Sequence, residues 1–109
     1  MSADVQVRDN PERERYDALV NGELAGFTVY HVREGDLYFF VHTEIDDAFG
    51  GMGVGTTLVR EALDDVSTKG GKIVPICPFV AGFVARNPDY DRLVDHDVYD
   101  RIADKLHPE

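Results

Sequence analysis

At 109 residues, with 43% hydrophobic and 10% aromatic content, the chain has the length of one domain and the composition of a folded one, which excludes intrinsic disorder. Asp and Glu number 21 against 11 Lys and Arg, so the formal net charge of −10 excludes the basic face that non-specific nucleic-acid or anionic-membrane binding requires. No apolar run approaches the ~20 residues of a membrane span, and MSADVQVRDNPERER carries no signal-peptide pattern. The lone Cys77 allows neither an intrachain disulfide nor a cysteine metal cluster, so the expectation is a cytoplasmic protein with no metal site.

The first predicted strand is Arg15–Val20 (RYDALV), closed by the Asn21-Gly22 hairpin signal. Glu23–Val32, rich in β-branched and aromatic residues, is the second, and after the turn Arg33–Asp36 comes Leu37–Ile45 (LYFFVHTEI). Together these three predict an antiparallel meander. After the glycine-rich Phe49–Gly55, apolar residues at 54, 58, 59, 62, 63 and 66 predict a helix, ended by Gly70-Gly71. Lys72–Ile76 (KIVPI) is a short buried strand, parallel to Leu37–Ile45 through a right-handed crossover. Pro75 puts it at an edge or parts it from its neighbour. Pro78–Arg86 predicts a second helix, Tyr90–Val94 a last short strand, and Asp97–Leu106 a terminal helix within the segment 95–109. The fold class expected is α+β, a mixed, mostly antiparallel sheet with one βαβ unit, in a single domain spanning 1–109.

The glycines sit where a parallel strand hands over to a helix N-terminus, a position that attracts anions because unpaired N–H groups and the positive end of the helix dipole point there. Three phosphate loops share this logic. A Walker loop needs a lysine where Thr56 stands, and a dinucleotide fingerprint needs to follow the first strand, with an acidic residue at the end of the next; neither fits. The acyl-coenzyme A pattern R/Q-x-x-G-x-G/A fits at Gly53 and Gly55, with Gly50 in place of the Arg or Gln.

With His42-Thr43-Glu44 ahead of this loop and Val74-Pro75-Ile76-Cys77-Pro78-Phe79 and Asn87-Pro88-Asp89-Tyr90 behind it, the chain resembles the GNAT superfamily of N-acetyltransferases, more narrowly its small minimal members, over about Tyr16–Val94. The resemblance implies a minimal GNAT fold and acetyl-CoA as acyl donor. It implies coenzyme contacts from Thr43, Glu44, Ile45, Gly50, Gly51, Met52, Gly53, Val54, Gly55, Thr56, Thr57, Cys77 and Asn87, the last standing where those relatives carry histidine.

Acetyl transfer to an amine needs a held thioester, a base for the ammonium and a donor for the leaving thiolate. Strict strand alternation puts Tyr38, Phe40, His42 and Glu44 on one face, so His42 and Glu44 are candidate bases. Cys77 ends the parallel strand just before a helix N-terminus and is read either as a nucleophile that carries the acetyl group or as a small core residue. Tyr90 is the candidate donor to the coenzyme thiolate. The aromatics Tyr38, Phe39, Phe40, Phe79 and Phe83 are expected in the core, and Arg86 and Lys72 are solvated charges or contacts to the coenzyme's outer phosphate. GNAT proteins build acceptor specificity from a helix pair between the first two strands, and here Asn21-Gly22 closes that gap. The acceptor is then an unidentified amine, cationic by the field of the chain, or a protein, met by a monomer or a homodimer. The alternative is a non-catalytic coenzyme A binder or interaction module.

Overall fold

A computed structural model describes residues 4–106. Five strands form one sheet in the order β1 (Val5–Asn10), β2 (Arg15–Val20), β3 (Glu23–Arg33), β4 (Leu37–Ile45) and β5 (Lys72–Pro75). The first four pair antiparallel and β5 runs parallel to β4, which is the mixed α+β sheet with one βαβ unit that the sequence predicts. Two predictions need correction. The antiparallel part begins one strand earlier, because Val5–Asn10 pairs with β2 along its whole length. Its apolar alternation is only two valines long, and a 3-10 turn at Pro11–Arg13, not a glycine hairpin, connects it. Conversely, Tyr90–Val94 is no strand: Pro88–Leu93 winds into a 3-10 helix, with proline in its first turn, and Val94 makes a single parallel bridge to Ile73.

Helix α1 (Val54–Thr68) buries all six predicted apolar positions, and the same core cluster takes in Tyr16, Ala18, Tyr30 and Phe40 from the sheet. It ends as Gly70 N–H donates to Ser67 O and Gly71 N–H to Val66 O. Helix α2 (Pro78–Arg86) starts at the predicted proline and packs beside α1, with the Arg60 guanidinium 5.7 Å from the centre of the Phe83 ring. Helix α3 (His96–Leu106) begins where Asp95 accepts from Val98 N–H, and Tyr99 packs against the core; residues 107–109 of the predicted C-terminal segment lie outside the described residues. Among the described residues, no helix is long and apolar enough to cross a membrane. Of the aromatics assigned to the core, Phe40 and Phe83 are buried and Tyr38 and Phe39 half-buried, whereas Phe79 is 39% exposed.

The far end of α1 is tied to the sheet by a chain of polar contacts. Tyr16 Oη donates to Asp65 at 2.6 Å, Lys69 Nζ bridges Asp65 (2.7 Å) and Asp9 (3.0 Å), and Tyr30 Oη donates to Asp9 at 2.6 Å. Burial, reinforced by these carboxylates, pushes both tyrosine hydroxyls well above the ordinary 10.0. The bond to Asp65 is the main cause that raises Lys69. Burial alone would raise Asp65, but its bonds from Lys69 and Tyr16 outweigh that and hold it below the usual carboxylate range.

The feature that shapes the site is a bulge in β4. Val29 pairs with His42 and Tyr30 with Phe40, leaving Val41 as an extra residue. Strict alternation therefore fails: Phe40 points into the core, but His42 and Glu44 point away from it and Thr43 takes the inward position. The predicted common face for Phe40, His42 and Glu44 is corrected accordingly. The parting predicted from Pro75 is present: the last β4–β5 pair is Phe40 with Pro75, and β4 runs on to Ile45 with β3 alone beside it.

Candidate functional site

Two helix N-termini meet at the mouth of the gap between β4 and β5. In front of α1, Gly51 (φ 80°) and Gly53 (φ 71°) hold left-handed backbone, and a Cβ on either would meet nothing within 4 Å. The first intrahelical bond runs from Thr57 N–H to Gly53 O, so the N–H groups of Val54, Gly55 and Thr56 have no partner within the helix, and no side chain caps it. No acidic residue sits in the first turn to neutralise the dipole. The N-terminus of α2 is similar, with no side-chain cap and no first-turn acid, and Cys77 precedes its opening Pro78. Gly55 joins the two: a Cβ there would lie 2.4 Å from Phe79 Cζ, so its missing side chain serves the Phe79 ring. That contact explains why Phe79 stays outside the core.

Cys77 is 5% exposed, and its N–H donates to Phe40 O at 2.8 Å, which fixes it at the point where the strands separate. Its Sγ–H donates to Thr43 Oγ1 at 3.4 Å, and Thr43 Oγ1 shares a 2.8 Å hydrogen bond with the fully buried Thr28. Asp46 N–H donates to Ala25 O, so strand alternation turns the main-chain groups of Ile45 and Thr43 to the opposite edge, where β5 is missing. On the other face of β4, His42 Nε2 lies 3.2 Å from Glu44 Oε2, and both side chains are more than half exposed. The His42 ring tilts against Phe27 (6.4 Å between centres), which also carries the Arg15 guanidinium at 4.4 Å.

The structure thus brings Cys77 together with Thr43, and His42 with Glu44, and places the two pairs on opposite faces of one strand. Gly50–Thr56 lie together at the helix start, with Met52 42% exposed, but the Thr57 amide is already spent on the helix. Tyr90 is elsewhere: its Oη donates to Asp64 at 2.8 Å, ten residues along α1 and so roughly 15 Å from the loop. Burial, with the Asp64 carboxylate, raises that hydroxyl above its ordinary value. Asn87 donates to Phe83 O at the end of α2, and Lys72 donates to Arg92 O at the start of β5, the end away from the gap. Arg86 extends beside Gly82 on its own helix. Among the described residues no cluster could hold a metal ion.

Thr28 was not legible as a site residue, because its signal is a lone hydroxyl in the apolar run GFTVY whose meaning depends on register with Thr43. A hollow of about 440 Å³ lies between β1, β2 and α1 and is lined by Asp9, Glu61, Asp64 and Asp65 with Lys69, the wrong charge for a diphosphate. A smaller one, about 210 Å³, adjoins the end of β4 between Leu24, Phe27, Glu44, Ile45 and Asp46.

A family model for GCN5-related N-acetyl-transferases matches residues 15–93. The solution structure of a GCN5-like protein from Staphylococcus aureus shares the fold, with a TM-score of 0.63 at 17% identity, over 82% of this chain and 86% of that one. No curated protein matches. With the separated strands and the glycine loop at a helix start, the match over most of its length shows that this chain belongs to the GCN5-related N-acetyltransferase family.

Proposed function

We propose that the protein binds acetyl-CoA in the gap between β4 and β5 and transfers the acetyl group to an amine, with Cys77 as the intermediate carrier. The observation that carries this reading is the placement of the Cys77 sulfur where β4 and β5 part, at the start of α2 and beside the uncapped start of α1. The free amides of Gly51–Thr56 suit a diphosphate, since each N–H gives a charge-assisted bond and no side chain blocks Gly51 or Gly53. The edge groups of Thr43 and Ile45 suit the amide-bearing arm of the donor. No cation among Gly50–Gly55 supplies the contact that an Arg or Gln at position 50 would give, so main-chain donors carry the anion alone.

The chemistry then balances in two steps. Cys77 Sγ forms a bond to the thioester carbon, the carbon–sulfur bond to the coenzyme breaks, and the Cys77 proton ends on the coenzyme sulfur. The acceptor arrives as an ammonium and gives one proton to the His42–Glu44 pair on the outer face of β4; the neutral amine then attacks acetyl-Cys77, a C–N bond forms, the C–Sγ bond breaks, and a second nitrogen proton returns to Cys77. Access to that pair is open: with β1 added, the first two strands are β1 and β2, and the gap the sequence assigns to Asn21-Gly22 is instead spanned by the 3-10 turn Pro11–Arg13, which leaves no room for a helix pair. An acidic chain with an open acceptor side suits a cationic amine, including a lysine of a protein. The experiment is incubation with acetyl-CoA followed by intact-mass analysis, then thiol release over pooled amines and peptides. One acetyl on Cys77 that amines discharge supports the proposal. Coenzyme binding without acetylation or release marks a non-catalytic binder.

A further inference from the structure

We infer that Thr28 and Thr43 form a reversible hydroxyl pair that supports Cys77 in both of its protonation states, with Thr43 as the positioning residue for the sulfur. The inference rests on the reading of Cys77 as acyl carrier but makes a claim about the thiol that can be measured without any acyl donor. Thr28 and Thr43 stand directly opposite on β3 and β4, their hydroxyl oxygens are 2.8 Å apart, and either can donate to the other. Thr43 Oγ1 is also 3.4 Å from Cys77 Sγ. Thr28 is the one buried polar residue among those described, at 0% exposure, in a core otherwise made of apolar and tyrosine side chains.

Each hydroxyl has one donor and two acceptor sites, so the same heavy atoms allow two arrangements that run in opposite directions. With Cys77 as thiol, S–H donates to Thr43 and Thr43 donates to Thr28. With Cys77 as thiolate, Thr28 donates to Thr43 and Thr43 donates to the sulfur. A largely buried anion is costly unless hydrogen-bonded, and the second arrangement supplies a charge-assisted bond without moving an atom heavier than hydrogen. The bulge at Val41 makes this possible by turning Thr43 inward.

The test compares iodoacetamide alkylation of Cys77 at neutral pH with thermal stability in wild type, Thr43→Val, Thr43→Ser and the double variant Thr28→Val/Thr43→Val. Thr43→Val is expected to slow alkylation roughly tenfold or more, the size of a hydrogen bond to a charged group, and Thr43→Ser to restore it. Thr43→Val also strands the buried Thr28 hydroxyl and lowers stability, whereas the double variant replaces both partners by apolar groups of the same shape and recovers stability. A hydroxyl pair that serves the thiol leaves the double variant stable but still slow. Wild-type alkylation in Thr43→Val, or a double variant that recovers rate together with stability, overturns the inference. Should Thr43→Val fail to fold, the double variant alone decides. Failure of wild type to take an acetyl on Cys77, with the alkylation pattern intact, removes the carrier role and leaves the hydroxyl pair standing.

Discussion

Replacing Gly53 by asparagine separates the stability of the loop from its capacity to hold an anion. Gly53 precedes α1 at φ 71°, and its Cβ position is open space. An L-residue in the left-handed region costs about 1–2 kcal/mol, but asparagine is among those that tolerate it best. It also restricts the unfolded chain by about 0.5–1 kcal/mol relative to glycine. The net change for Gly53→Asn is within about 1 kcal/mol, a shift in Tm of no more than ~8 °C. The affinity change is of another order. A side chain set over the amides of Val54–Thr56 displaces an anion from two or more charge-assisted bonds at about 1.5–3 kcal/mol each, so coenzyme A binding falls at least ~100-fold. Thermal unfolding and isothermal calorimetry with coenzyme A measure the two quantities on one sample. A folded Gly53→Asn protein that binds with wild-type affinity refutes the cradle.

Tyr16→Phe removes a buried hydroxyl that donates to Asp65 at 2.6 Å and is expected to cost about 1.5–3 kcal/mol in chemical denaturation, with m unchanged. The pH dependence follows from the directions of the shifts. Tyr16, Tyr30 and Lys69 are raised in the folded state, so their contribution is complete below their ordinary values of 10.0 and 10.5 and is lost as pH rises beyond them. Asp65 is lowered, so its contribution is complete above 3.8 and is lost as pH falls through its folded value. Wild-type Tm therefore falls steeply above about pH 10, and Tyr16→Phe shows a shallower alkaline decline; an equal slope in the two proteins contradicts the network. In Gly26→Ala the new Cβ would lie 2.6 Å from both Glu44 O and Ile45 Cδ1, and because one neighbour is main chain, the expected loss is about 1–3 kcal/mol together with weaker coenzyme binding at the end of β4. Glu44→Gln combined with His42→Asn is expected to leave acetylation of Cys77 intact and slow its discharge to amines roughly 100-fold, seen as accumulated acetyl-protein in intact-mass spectra. Unchanged discharge would remove the base role.

The elements that the sequence made legible are those whose signals are local. Asn21-Gly22, the 3.6-residue period of α1, Pro78 at the start of α2 and the glycines before Val54 each describe their own few residues, and all lie where the sequence places them. What escaped depends on pairing between distant segments. The run LYFFV has no polar residue to reveal its parity, so the extra residue at Val41 and the reversal of His42, Thr43 and Glu44 emerge only from register with β3. Strand β1 is likewise legible only against β2, since Val5 and Val7 alone make a weak pattern. Tyr90 shows the converse: a motif-like tetrad suggested chemistry, while the fold uses its hydroxyl to brace Asp64 on α1. Part of the glycine signal is also packing, because Gly55 makes room for Phe79.

The most direct measurement is an amide chemical-shift titration of the isotope-labelled protein with coenzyme A. Saturable shifts are expected in the amides of Gly51–Thr56, Thr43 and Ile45, with little change along the acidic hollow at Asp9, Asp64 and Asp65. Shifts confined to other surfaces, or none at millimolar coenzyme, would contradict this placement of the coenzyme.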